Sequence, residues 1–148
     1  MEGTGPTVIV VEDDELVRSF FCRALERGGY TPVPAANGGD ALNELRHTED
    51  VAALLIDGLL PDMHGADLAR TLLDEPMAKS TGICFVSGAV HAESLMDAGM
   101  AALAKPVRSN ALLETISKLN YWHCCGGCGS EQRTVALEKL VHDFSIAP

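Results

Sequence analysis

The 148-residue chain has no basic run: 11 lysines and arginines stand against 21 acids, for a formal charge of −10. That balance argues against any nucleic-acid partner bound through phosphate neutralisation, and against docking on anionic lipid. Long apolar runs are missing too. The longest have strand length, far below the roughly 20 residues that span a bilayer. The start, Met1-Glu2-Gly3-Thr4-Gly5-Pro6, lacks the basic opening and apolar core of a signal peptide, so a cytoplasmic protein with no membrane partner is expected. Five cysteines are an odd number and a poor disulfide framework, in keeping with a reducing compartment. No repeat period or low-complexity segment is visible. What is present is an apolar content of 47%, ample for the core of one domain with a short appendage.

The apolar runs share one feature: they end in chemistry. Thr7-Val8-Ile9-Val10-Val11 leads into Glu12-Asp13-Asp14-Glu15, and Val51-Ala52-Ala53-Leu54-Leu55-Ile56 leads into Asp57. Ile83-Cys84-Phe85-Val86 ends in Ser87, and Ala101-Ala102-Leu103-Ala104 in Lys105-Pro106. Parallel neighbouring strands would bring acids, hydroxyl and amine to the carboxyl edge of a sheet, where open α/β folds bind ligands. A carboxylate can attack phosphorus and hold an acyl phosphate. Neighbouring carboxylates hold a hard divalent cation, an ammonium neutralises a phosphoryl oxygen and a hydroxyl donates to another. Three clustered acids repel one another, so the cluster itself predicts a cation, and Mg²⁺ suits oxygen ligands.

Between the strand runs lie helix-period segments. Leu16, Phe20 and Ala24, flanked by Val17, Phe21 and Leu25, predict a helix with a broad apolar face, capped by Asp14 and stopped by Gly28-Gly29. A strand over residues 31–35 contains Pro32 and Pro34 and suits only an edge. Asn37-Gly38-Gly39 turns the chain into a second helix through Ala41, Leu42 and Leu45. A third covers residues 65–73 and stops before Pro76. A short fourth is expected over 91–98 with Gly99 as its stop, and a fifth over 109–119 capped by Ser109. Strict alternation implies an α/β fold: a doubly wound, five-stranded parallel sheet with helices on both faces. Cys22 and Cys84 fall in apolar patterns and read as core thiols. His47, His64 and His91 read as solvated surface. Leu137, Leu140, Val141 and Phe144 recur at i, i+3, i+4, i+7 and predict an extra C-terminal helix over 131–144. Ser130 would be its cap, with Glu131 in the first turn and the stripe buried on its own domain or on another copy.

Taken together, Glu12-Asp13-Asp14, Asp57-Gly58-Leu59-Leu60-Pro61-Asp62-Met63-His64-Gly65, Val86-Ser87-Gly88-Ala89 and Lys105-Pro106 resemble the receiver domain of two-component response regulators. Residues 35–42 look like that family's entrance to its second helix. The resemblance covers about residues 7–120, between an N-terminal extension (1–6) and a Cys/Gly-rich hinge with the amphipathic helix (121–148). It implies a flavodoxin-like strand order, 2-1-3-4-5, and makes Asp57 the phosphoacceptor. Asp13 would be a direct Mg²⁺ ligand, Glu12 would act on the metal largely through water, and the backbone carbonyl of Leu59 would complete the site. Ser87 would be the switch hydroxyl, Lys105 the phosphate-binding lysine, and the Lys105–Pro106 bond would be cis.

The implied function is a stand-alone receiver in a phosphorelay. It would accept a phosphoryl group from a histidine kinase or histidine phosphotransfer protein, and pass the signal to a downstream protein target. Such a chain is a signalling phosphoacceptor that catalyses only its own phosphorylation and slow dephosphorylation. A homodimer is foreseen through the face of the fourth helix, fifth strand and fifth helix, or through the C-terminal helix. Two departures from the family stand out. Its inward-swinging aromatic is replaced by Ala102, with Leu103 beside it, and the 28 residues from Tyr121 to Pro148 are too few for a DNA-binding output domain.

Two alternatives fare worse. A phosphatase of the haloacid dehalogenase type needs a second Asp where Leu59 stands. A pseudo-receiver serving only as a protein scaffold would not need the intact acids and lysine. Leu59 and Ala89 flank the line of water attack and neither orients water, so self-dephosphorylation is expected to be slow, while small Gly88 leaves room for the donor. In the tail, Cys125 and Cys128 have the spacing of half a zinc site, beside His123 and Cys124, with His142 distant. A second ligand pair is missing, and the segment reads as an oxidisable Gly/Cys hinge rather than a metal centre.

Overall fold

The computed structural model describes residues 5–88, 93–127 and 132–144. Five parallel strands form the body of one sheet: β1 (Thr7–Val11), β2 (Thr31–Ala35), β3 (Val51–Asp57), β4 (Gly82–Ser87) and β6 (Met100–Ala104). They stand in the expected order 2-1-3-4-5. A short strand, β5 (Glu93–Leu95), adds antiparallel to β6, so the full order is β2-β1-β3-β4-β6-β5. Alternation along each strand divides the core in two. Ile9, Leu54, Ile56, Ile83, Phe85, Met100 and Ala102 face one layer of helices. Val8, Val10, Leu55, Cys84, Val86 and Leu103 face the other.

The second layer contains α1 (Glu15–Arg27) and α4 (Ser109–Cys124); the first contains α2 (Gly38–His47), α3 (Gly65–Leu73) and α5 (Arg133–Phe144). Asp14 caps α1 as foreseen, accepting from the N–H groups of Leu16 and Val17 at 2.9 and 3.0 Å. The apolar face of α1 is narrower than its sequence suggests. Phe21, Ala24 and Leu25 are buried, whereas Leu16 is 81% and Phe20 43% exposed. A helix packed on a flat sheet buries about one third of its circumference, and the Phe21–Leu25 row takes that place. The cap expected of Ser109 is not formed: Ser109 is the first helical residue, and Arg108 precedes it without a side-chain cap. Cys84 is fully buried, which pushes its thiol up to about 12 and leaves it inert. None of the helices in the described residues is long and apolar enough to cross a membrane.

The fourth crossover helix expected over 91–98 is not built. Residues 89–92, His91 and Ala89 among them, lie outside the described residues; Glu93–Leu95 is β5, and Met96–Ala98 is a single 3-10 turn. The physical reason lies in two side chains. Leu95 and Met96 are adjacent rather than a helical turn apart, and they pack against opposite layers of the core, as alternate residues do. Gly99 closes the hairpin at φ +67°, and a Cβ there would sit 2.5 Å from the Trp122 ring.

The C-terminal helix fills the vacated place. Leu137 and Leu140 are fully buried on the layer formed by Ile83, Phe85, Met100, Ala102 and α3. Leu137, Leu140 and Val141 therefore pack on their own domain, while the Phe144 side chain lies outside the described residues. The helix's expected cap, Ser130, and Glu131 lie outside the described residues. Leu73 and Thr134 line one cleft, and Arg70 of α3 pairs with Glu138, so α5 runs antiparallel to α3 and along the direction of the strands. At its start Arg133 is only 3% exposed. Its guanidinium donates to the carbonyls of Thr81 (2.7 Å), Ala98 (2.8 Å), Ala78 (3.1 Å) and Gly99 (3.3 Å), with the Trp122 ring 4.7 Å from its centre.

Candidate active site at the carboxyl edge

The register of the parallel strands settles what meets at the edge. Val11 pairs with Ile56 and Asp57 with Val86, so Glu12 and Asp57 leave neighbouring strands at the same level. Ser87 pairs with Ala104, and Lys105 follows; the Lys105 N–H donates to the Ser87 carbonyl at 2.9 Å. One oxygen each of Glu12, Asp13 and Asp57 lie within 4.8 Å of one another. Lys105 Nζ stands 3.3 Å from Asp57 Oδ1 and 3.5 Å from Glu12 Oε1. The Ser87 side chain lies across from Gly58, where a Cβ would stand 3.6 Å from its Oγ. The structure thus brings Glu12, Asp13, Asp57, Ser87 and Lys105 to one edge, and the Lys105–Pro106 bond is cis.

Leu59 is held at the mouth by its backbone. Its N–H points to Asp57 Oδ1 at 3.5 Å and it bridges to His64, while its side chain is 65% exposed. Gly65 lets α3 begin against the end of β3, since a Cβ there would sit 2.5 Å from the Asp57 carbonyl oxygen. Sequence reading missed three supporting residues. Arg18 donates to the carbonyls of Glu12 (2.8 Å) and Asp13 (3.4 Å), bracing the acidic turn from α1. Asp62 accepts from Gly38 and Gly39, and Arg133 anchors α5. None stands in a strand-end pattern, so only the fold reveals them.

Electrostatics favour a cation here. Glu12 is 2% exposed, and its Oε1 accepts no hydrogen bond although it is buried. Burial, helped by the Asp57 charge, pushes its carboxyl from 4.5 up to about 7, against the pull of the Asp14 N–H and Lys105. On Lys105 burial works the other way, but the Asp57 and Glu12 charges outweigh it and hold the ammonium above its ordinary value. A buried oxygen met by the Lys105 charge at 3.5 Å but by no hydrogen bond, within a three-carboxylate set, fits a hard divalent ion.

Stability should report this. Glu12 binds a proton more readily in the folded than in the unfolded chain, so its own contribution to metal-free stability is fully present below pH 4.5 and is lost as the pH rises to about 7. The loss is about 3 kcal/mol at most. The difference between urea titrations of the wild type and Glu12→Gln across that window should show it, and millimolar Mg²⁺ should remove most of it; parallel metal-free profiles of the two would contradict it.

Among the described residues the tail cysteines form no such set. Both ring nitrogens of His123 are engaged, with the Ser80 carbonyl (2.6 Å) and Asp50 Oδ1 (2.7 Å), so His123 ties the end of α4 to the two loops that carry Asp50 and Ser80. Cys124 and Cys125 are exposed, the Cys124 thiol 3.8 Å from Asn120 Oδ1; Cys128 and the side chain of His142 lie outside the described residues.

A parallel sheet with acids, a hydroxyl and a lysine on its carboxyl edge defines an α/β protein with a charged candidate site at that edge. More narrowly, the model of the response regulator receiver domain matches residues 8–117, and the chain belongs to that family. It is 32% identical over 117 residues to the response regulator receiver protein CpdR of Brucella abortus, covering 76% of this chain and 94% of CpdR. It is 34% identical over 121 residues to the sensor kinase CckA of the same organism, covering 76% of this chain but 12% of CckA. A CheY-like receiver structure from Methanospirillum hungatei aligns with a TM-score of 0.66 at 28% identity, over 84% of this chain and all of that one. The family match ends at residue 117, before α5 begins.

Proposed function

We propose that this chain is a cytoplasmic phosphorelay receiver that takes a phosphoryl group onto Asp57 and thereby changes its protein binding. The observation that carries the reading is the Asp57 carboxylate, 3.3 Å from Lys105 Nζ and within 4.8 Å of the Glu12 and Asp13 oxygens. The donor is a phosphohistidine of a histidine kinase or histidine phosphotransfer protein. An Asp57 oxygen attacks phosphorus, the phosphorus–nitrogen bond breaks, and its electron pair leaves with the imidazole, which takes up a proton. Glu12, Asp13, Asp57 and the Leu59 carbonyl would hold Mg²⁺, which when bound offsets charge on the transferred group. Lys105 neutralises a phosphoryl oxygen, and the Ser87 hydroxyl donates to another. Exposed, apolar Leu59 at the mouth supports slow self-dephosphorylation. The extent of the match to CpdR supports a stand-alone receiver.

Leu16 and Phe20 lie in the first and second turns of α1, next to the acidic turn and exposed, and form an apolar landing surface for the donor protein. The test is labelling by a small acyl phosphate. It should require Mg²⁺ and vanish in Asp57→Asn; stoichiometric labelling in excess chelator, or on Asp57→Asn, overturns the reading. Phe20→Glu should slow transfer from a phosphorylated donor protein about tenfold more than it slows labelling by acyl phosphate.

A further inference from the structure

The loop from β3 to α3 is tied to a helix that contributes nothing else to the edge. Asp62 Oδ1 accepts from the Gly38 N–H at 2.9 Å, and Oδ2 accepts from the Gly39 N–H at 3.0 Å. Both carboxylate oxygens are thus spent on the first turn of α2, whose own cap is Asn37, accepting from the Asp40 N–H at 2.8 Å. Beside this tie, Met63 lies so close over Gly38 that a Cβ there would meet its sulfur at 2.5 Å. Inside the loop the Leu60 N–H bonds the Met63 carbonyl (3.1 Å), the Gly65 N–H bonds the Gly58 carbonyl (2.9 Å), and Leu59 bridges to His64. The loop is therefore a small closed frame. One corner, Leu59, sets its N–H toward Asp57 Oδ1; the opposite corner is Asp62.

We propose that Asp62 is a positioning residue for the acceptor site: by fastening the loop to α2 it holds the Leu59 backbone against Asp57. The proposal rests on the reading of Asp57 as phosphoacceptor with a bound cation. Asn37 caps α2 from within its own turn, at the Asp40 N–H, whereas Asp62 reaches the Gly38 and Gly39 N–H groups from across the edge, and a loop of seven residues needs such an anchor if one of its peptide groups is to stay in register with the site. The Gly38 N–H, and after it that of Gly39, hold the Asp62 carboxyl below its ordinary value, so the tie is intact throughout the neutral range.

The test compares Asp62→Ala, Asp62→Asn and Asn37→Ala with the wild type. Calorimetric titration with Mg²⁺ alone gives the cation affinity, acyl phosphate labelling gives the saturation constant and maximal rate, and thermal melts control for folding. Asp62→Ala should weaken Mg²⁺ about tenfold, the scale found when groups orienting a metal's ligands are lost. Asp62→Asn keeps one acceptor oxygen and should fall between. Asn37→Ala, which removes the other cap, should lower the melting temperature comparably and leave Mg²⁺ affinity unchanged. If Asp62→Ala lowers only the melting temperature, or if Asn37→Ala weakens Mg²⁺ equally, Asp62 is merely a helix cap and the proposal is overturned. A wild type that binds no Mg²⁺ and takes no label overturns the phosphoacceptor reading instead, a result distinct from either.

Discussion

Deletion of residues 129–148, and with them α5, is expected to lower the thermal midpoint by about 15 °C. The helix covers the face of the sheet on which Phe85, Met100 and Ala102 lie, a place that no crossover helix fills among the described residues. Leu137 and Leu140 are fully buried there. Losing both resembles emptying two core leucines, about 4 kcal/mol or more. The uncovered apolar strip should bind a hydrophobic dye in the folded protein. A truncated chain with an unchanged midpoint and no dye binding would show α5 to be an ornament. The receiver boundary suggested by family resemblance, near residue 120, then omits part of the folding unit.

Arg133→Met is the second large effect, with an expected loss of about 3 kcal/mol. Two terms compete. Burial makes the guanidinium costly, as its fall to about 10 shows, and methionine would relieve that cost. Against this, four carbonyls lose a donor. The Ala78 and Gly99 carbonyls keep one each, from the N–H groups of Thr81 and Ile83, while the guanidinium is the donor to the carbonyls of Ala98 and Thr81. Two buried carbonyls left unmet cost about 1–3 kcal/mol each, so loss prevails over relief. Lysine cannot span the same fork, and Arg133→Lys should recover less than half. Equilibrium denaturation of the three proteins decides it; equal stability would mean that Trp122 stacking and the leucines alone seat the helix.

Much of this was legible because it is local. Each parallel strand is a short apolar run, and each functional group is the residue where that run stops, so Glu12, Asp13, Asp57, Ser87 and Lys105 could be picked out before any coordinate. Asp14 as a cap and Pro32 and Pro34 as edge residues follow from equally local rules. The failures are of another kind. Residues 91–98 had a helix-like length, but whether Leu95 and Met96 serve one face or two depends on a neighbouring strand. Arg133 has no sequence signal because its partners are carbonyls from three other segments. The exposure of Leu16 and Phe20 depends on which row of α1 meets the sheet. The expected place of Ala102 in a switch was likewise silent on its neighbours: Leu137 and Leu140 pack into the same cluster.

Pro32 and Pro34 have a consequence beyond secondary structure. Thr31 donates to Pro6 and Ala35 accepts from Glu12, so residues 31, 33 and 35 turn their peptide groups toward β1 and the two prolines turn theirs outward. An incoming strand at that margin would find carbonyls but no N–H at two successive positions. At the opposite margin β5 offers only three residues. A sheet whose centre is among the most apolar sequences in the chain is thus a poor template for amyloid-like growth from either side. Replacing both prolines with threonine would restore the missing donors, and the price would be read as fibril formation rather than as loss of fold.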